Sequence, residues 1–444
     1  MTDDRTPAAE RVGWFQERRV LLERLDRKEG TARADNITVA YRLVGALDED
    51  LLARAAALVA QRHEPLRTVF PGDASPPVAR VLPSAPVPVE RLCTATEEEA
   101  VRTVSAQWLD IQQGPVLRLV HVFCEDGELL VICYAHIVGD GVESVNVLTR
   151  ELAECYGALT AGDDADLPPL PFGYGEFARR HRTTLDDETR AALLDHWRGR
   201  LPPHSPDPPV HLPTLTPGSG TALGTAAVVR VQASEALVRG LPELRGRYRT
   251  TTFTLFMAGL LAAVRSLADQ PEVGALFAVD VRSRYRASGL IGSFSTLSVL
   301  WLPADPDMRL DELAAQVRTR VLEAFVHGAL PFDEIIREVY PQWWEDVESP
   351  PYVFFSTSAP RPRPWQAPGV EAHPVIPRDH SPRHLHPGLK VVLDTEQTAL
   401  SCQYAVAAFA PDVVRALLNR TLEAVERLVT RPDSLVRELA GSPD

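Results

Sequence analysis

Two mixed α/β halves joined by a proline-rich passage are what the sequence predicts, and three observations carry that expectation. Apolar runs with period-two alternation recur beside runs at helical spacing along most of the chain. Between about residue 160 and residue 222 both periods fade, and "TAGDDADLPPLP" and "LPPHSPDPPVHLPTLTPGSG" punctuate the passage. The chain has 444 residues, beyond the roughly 250–300 at which single cores stop growing. The expected division is an N-terminal lobe over 1–175, a linker region with one helix over 176–222, and a C-terminal lobe over 223–444.

The elements follow in order. "ITVAYRLVG" alternates Ile37, Val39, Tyr41 and Leu43, which predicts a strand, and "DEDLLARAAALVAQRHE" places Leu51, Ala55, Leu58 and Val59 at helical intervals. In "GPVLRLVHVFCEDGELLVICYAH" two apolar runs flank a turn at Asp126 and Gly127, the pattern of a hairpin. Beyond the linker come a strand in "AAVVRVQAS", helices in "EALVRGLPELRGRY" and "TTTFTLFMAGLLAAVRSLA", and strands in "GALFAVDV" and "LSVLWLP". A helix in "RLDELAAQVRTRVLEAFVHG" follows, then a hairpin in "LKVVLDTEQTALSCQYAV" and a terminal amphipathic helix in "PDVVRALLNRTLEAVERLV".

Composition narrows the function classes. Asp plus Glu number 60 against 46 Lys plus Arg, a formal net charge of -14, with no basic run to track a phosphate backbone. Nucleic acid is not an expected partner. No apolar run approaches the roughly 20 residues that span a bilayer, and the start lacks the order of a signal peptide. No membrane partner and a cytoplasmic location are therefore expected. Cys93, Cys124, Cys133, Cys155 and Cys402 form no C-x-x-C pair, which suits reduced packing thiols rather than a disulfide frame or zinc site.

The chemistry centres on "AHIVGDG". A general base needs a pKa near the working pH, and histidine already titrates there. His136 follows the apolar run "LLVICYA" and precedes Gly139 and Gly141, which permit a tight turn and close approach of a substrate to backbone. Asp140 can orient the imidazole or brace the turn through a distant arginine. A histidine at a strand end is also commonly a plain hydrogen-bonded residue, so the assignment turns on whether other segments agree.

They do, through a resemblance. "YAHIVGDG" is similar to the H-H-x-x-x-D-G core of condensation domains of non-ribosomal peptide synthetases, in the superfamily of chloramphenicol acetyltransferase-like and CoA-dependent acyltransferases. "RHEPLRTVF" at 62–70 resembles that family's R-H-E-x-L-R-T-x-F segment, and "YGEFA" at 174–178 its Y-x-D-[FY]-A segment. "GLIGSFSTL" at 289–297 and "LPFDEII" at 330–336 resemble two further segments, in the family's order. Three positions depart: Ala135 stands at the first motif histidine, Thr296 at the usual Asn, and Glu345 at an expected Arg. The D-F-G-W-G signature of plant-type acyltransferases is absent.

The resemblance implies an α/β fold with mixed sheets, two chloramphenicol acetyltransferase-like lobes forming a V with a tunnel between them. It implies that His136 is the catalytic histidine and that Asp140 is structural, pairing with Arg282. A thioester is already activated, so alignment of two substrates and deprotonation of an amine are the main tasks, and the Gly141 N–H can help stabilise an oxyanion. The expected function is that of a free-standing condensation enzyme. It would pass an acyl or aminoacyl group from a carrier-protein thioester, supplied in trans, to an amine. No bound cofactor or metal is expected, and the carrier's phosphopantetheine is the substrate arm. An ester-forming or acyl-CoA-dependent acyltransferase, or a silent docking domain, is the alternative. His63 is expected to brace Glu64 and Arg67, the cluster His380, His384 and His386 to be a solvated loop, and Trp343 and Trp344 to pack between lobes.

Overall fold

The computed structural model describes residues 9–28, 35–201, 212, 214, 224–268, 270, 272–303, 305–341, 352–358, 362–375, 383–384 and 388–441. Its contacts separate two units. One comprises Met1–Thr184, Asp280–Ser295 and Ala359–Ser381, the other Leu185–Val279, Thr296–Ser358 and Pro382–Asp444.

In the first unit the alternating strand pattern builds a six-stranded sheet. Its order is Trp365–Ala367, Val370–Val375, Asn36–Gly45, Gly127–Ala135, Leu117–Cys124 and Val89–Cys93. The hairpin expected around Asp126 and Gly127 is present: Cys124 faces Gly127 across the turn, and Gly127 takes φ +127°, a conformation that favours glycine. Strand Gly127–Ala135 is central, flanked on both sides, and its residues Leu129 to Ala135 are buried. Helix Glu49–Arg62 starts on Asp48, whose carboxylate accepts from the Leu51 N–H at 3.0 Å, and it packs beside helix Glu143–Ala161.

The second unit holds a seven-stranded sheet ordered Ser295–Pro303, Glu272–Asp280, Tyr352–Thr357, Gly388–Asp394, Ala399–Ala405, Gly224–Gln232 and Arg383–His384. Tyr352–Thr357 runs parallel to both neighbours, and the later strands are antiparallel. Helix Thr252–Leu267 is buried without a break from Thr254 to Val264, as an all-round apolar sequence requires. It crosses helix Pro411–Thr430 at Gly259, where a Cβ would lie 2.8 Å from the Thr421 carbonyl oxygen.

Two expectations need correction. Among the described residues the passage after residue 175 holds two helices where one was expected, because Tyr174–Thr184 is followed after Leu185 by Asp187–Arg198, capped by Asp186 on the Thr189 N–H. The units also do not coincide with 1–175 and 223–444, since 280–295 and 359–381 belong with the first. Periodicity is local and does not reveal that Val370–Val375 pairs with Asn36–Gly45, more than 300 residues earlier. Among the described residues no single helix is long and apolar enough to cross a membrane.

Candidate active site

His136 is positioned by the strand that precedes it. Gly127–Ala135 stops at Ala135, and the chain turns at once: the Val138 N–H donates to the Ala135 carbonyl at 3.0 Å. Gly139 fits this turn closely, since a Cβ would sit 3.0 Å from Tyr134 Cε2 and 3.1 Å from Ser144 Cβ and these neighbours would have to give. The buried Tyr134 hydroxyl donates to the Asp140 carbonyl, and burial pushes that phenol well above its ordinary pKa.

Asp140 ties the turn to the next helix. Its Oδ1 accepts from the N–H groups of Val142 at 3.2 Å and Ser144 at 3.1 Å, satisfying donors at the start of Glu143–Ala161 that Val142 cannot cap. Oδ2 pairs with the Arg282 guanidinium, and the two side chains are only 9% and 6% exposed. Arg282 also donates to Ser144 Oγ at 3.0 Å and to the carbonyls of Gly292 at 3.2 Å and Leu290 at 2.6 Å, with Phe294 4.3 Å beneath it. The structure thus brings together Asp140 and Arg282. Their geometry braces the turn rather than orienting the imidazole.

The imidazole has different partners. His136 Nδ1 lies 3.1 Å from Asp35 Oδ1, and its Nε2 lies 3.3 Å from Arg19 Nη2, while Arg19 Nη1 pairs with Asp35 Oδ2. A guanidinium can only donate, so Nε2 carries the lone pair and Nδ1 the proton that Asp35 accepts. The His136 N–H also donates to the Asp35 carbonyl at 2.9 Å. Sequence reasoning missed both residues. Asp35 had a readable signal only through register: Asn36 pairs with Ala135, which sets Asp35 against His136. Arg19, on helix Trp14–Lys28, had none.

Gly141 follows Asp140 in the turn, and among the described residues its N–H donates to no protein acceptor. Ala135, 3% exposed, packs in the core of the first unit. Thr296, in the second unit, keeps a polar role: its Oγ1 accepts from the Phe332 N–H at 3.3 Å, at the start of helix Phe332–Val339.

His63 braces a different partner from the one expected. Its Nε2 lies 2.8 Å from Glu151 Oε2, whereas Glu64 accepts from the Gly175 N–H at 2.9 Å. Burial works to raise the Glu151 pKa, but bonds from His63 and the charge of Arg62 outweigh it and hold the carboxyl below its ordinary value. Among the described residues no cluster of His, Cys, Asp and Glu could hold a metal. His380, His386, Trp343, Trp344 and Glu345, with the side chain of His384, lie outside the described residues.

A family model described as Condensation domain matches residues 12–444. Among curated proteins, phosphinothricin tripeptide synthetase PhsC of Streptomyces viridochromogenes is 29% identical over 324 residues, covering 71% of this chain and 30% of that protein. PhsB of the same organism is 32% identical over 338 residues, 74% of this chain and 28% of the relative. The isonitrile lipopeptide synthase of Mycobacterium tuberculosis is 30% identical, with 76% and 14% covered. The chain therefore spans less than a third of the length of these relatives. Two solved structures share the fold. The X-domain in its complex with OxyB from teicoplanin biosynthesis matches with a TM-score of 0.80 at 21% identity, covering 99% of this chain and 97% of that one. The condensation domain of Monacolin K polyketide synthase MokA matches at 0.75 and 19%, with 97% and 99% covered.

Proposed function

Because the chain belongs to the condensation-domain family, we propose that it forms an amide by passing an acyl or aminoacyl group from a carrier-protein phosphopantetheine thioester to an amine. The observation that carries this reading is the His136 imidazole held between Asp35 Oδ1, 3.1 Å from its Nδ1, and Arg19 Nη2, 3.3 Å from its Nε2, an arrangement that favours the lone pair on Nε2. The amine nitrogen attacks the thioester carbonyl, so that a C–N bond forms and the C–S bond breaks. His136 Nε2 takes the proton released by the nitrogen and returns it to the departing thiolate. A positioned base of this kind contributes about 10²- to 10⁴-fold. The Gly141 N–H supports the developing oxyanion, and Asp140 with Arg282 keeps the turn in shape.

The test is intact-mass spectrometry of an acyl-loaded carrier incubated with the protein and a panel of amines, beside the same acyl group on soluble CoA. Loss of the acyl mass from the carrier, with an amide in solution, is expected. Equal turnover from CoA alone would move the protein to the acyl-CoA-dependent class. A second reading, a docking domain without turnover, draws on the fold match to an X-domain bound to OxyB and on Ala135 at the first motif position. Binding of carrier without consumption of any thioester would favour it.

A further inference from the structure

The lone pair that the proposed chemistry needs is not open. Helix Trp14–Lys28 is fixed against the motif turn by Gln16, which is 2% exposed and whose Nε2 donates to the Ile137 carbonyl at 3.1 Å. Arg19 is three residues further on, so it shares that helix face and reaches the same turn. Its Nη2 sits on His136 Nε2 and its Nη1 on Asp35. A base whose acceptor atom holds a guanidinium N–H cannot take a proton from an amine.

We infer that Arg19 is a displaceable cap on His136 Nε2, drawn off by a carboxylate on the acceptor, so that the favoured acceptor is an amine bearing a free carboxylate, such as an unesterified amino acid. This rests on the proposed amide-forming role of His136. The cap is suited to exchange because the Arg19 and Asp35 side chains are 31% and 48% exposed, and ion pairs at such exposure are weak. A carboxylate binds a guanidinium best through two parallel N–H donors. Engaging Nη2 in that fork withdraws it from His136 and frees the lone pair. The carboxylate then lies beside Nε2, which places the amine of the same small molecule within reach of the base. Arg19 is accordingly a specificity-determining residue, and Asp35 keeps the imidazole oriented throughout.

The test needs neither the donor nor the true acceptor. Diethyl pyrocarbonate acylates a neutral imidazole at an open nitrogen, and peptide mass mapping reads His136 separately from the other histidines. His136 is expected to react about 2- to 10-fold faster in Arg19→Gln than in the wild type, the range of one hydrogen bond, while Arg19→Lys stays near wild type. N-Acetylglycine, a carboxylate without a free amine, is expected to speed His136 labelling in the wild type but not in Arg19→Gln. N-Acetylglycinamide at matched ionic strength is expected to do nothing. Equal labelling of wild type and Arg19→Gln overturns the inference, as does a carboxylate effect that survives in Arg19→Gln or is matched by the amide. The carrier assay with the wild type separately decides whether the amide-forming reading stands, since labelling does not require turnover.

Discussion

Replacing Asp140 tests the claim that it holds the motif turn through Arg282. Both side chains are almost fully buried, at 9% and 6% exposure, so solvent screening does not discount the pair. Removing one partner of such a pair leaves an uncompensated buried charge and costs about 3–5 kcal/mol. Here the guanidinium would keep the neutral acceptors Ser144 Oγ and the carbonyls of Gly292, Leu290 and Ala287, and the half-exposed Asp280 carboxylate 3.5 Å from its Nε, which compensates the charge less well than the buried Asp140. Asp140→Ala also loses the two bonds to the Val142 and Ser144 N–H groups, a helix cap that contributes about 1 kcal/mol. The expected total is about 4–6 kcal/mol, a large share of the roughly 5–15 kcal/mol that folded proteins have. Asp140→Asn keeps an oxygen for the cap and should lose only the charge contribution. The assay is urea unfolding at neutral pH followed by circular dichroism, fitted with separate transitions where the two units part. Combining Asp140→Asn with Arg282→Gln should be less damaging than the sum of the single changes, because no orphaned charge remains. Asp140→Asn within about 0.5 kcal/mol of wild type would refute the reasoning, since that is the scatter of ordinary surface changes.

Gly292→Ala should cost about 1–3 kcal/mol in the same assay, because a Cβ there lies 2.4 Å from Tyr174 Cδ2 and 2.6 Å from Phe294 Cε2. Gly157→Ala, in helix Glu143–Ala161 with nothing near the added atom, should instead stabilise by about 0.5–1 kcal/mol. The depressed Glu151 carboxyl contributes stability above its unfolded pKa of about 4.3, and that contribution is lost as pH falls through the folded value. Glu151→Gln should therefore be less stable than wild type at pH 7 by about 2 kcal/mol, with the gap in urea midpoints closing in acid. A gap unchanged at low pH would contradict that assignment. Cys93 is exposed, whereas burial pushes the thiols of Cys133 and Cys155 up to about 11 and Cys402 higher still. A disulfide reagent at pH 8 should modify Cys93 in the folded protein, with those three reacting only on unfolding.

Much of the fold was legible because its elements announce themselves locally. The predicted strand "ITVAYRLVG" is Asn36–Gly45, and the predicted terminal helix is Pro411–Thr430. Faces were less legible. Leu58 was read onto the buried stripe of helix Glu49–Arg62, yet it is 48% exposed, and Leu52, Ala56 and Ala60 take that role. Alanine carries too little hydrophobic contrast to fix the phase of a helix by pattern alone. At the candidate site, the pairing of Asp140 with Arg282 was legible through the family resemblance that their two segments carry. Asp35 and Arg19 were not, because they meet His136 through sheet register and helix docking across more than 100 residues. His63 was placed correctly as a brace but against its sequence neighbours, whereas its buried partner is Glu151, 88 residues on.

The central claim is that the His136 imidazole moves the proton during amide formation. Single-turnover consumption of an acyl-loaded carrier, followed by intact mass with wild type and His136→Ala at equal concentration, tests it most directly. The account predicts that His136→Ala keeps the wild-type unfolding midpoint within a small margin and slows acyl loss by about 10²- to 10⁴-fold. Equal rates of acyl loss from the two folded proteins would contradict it.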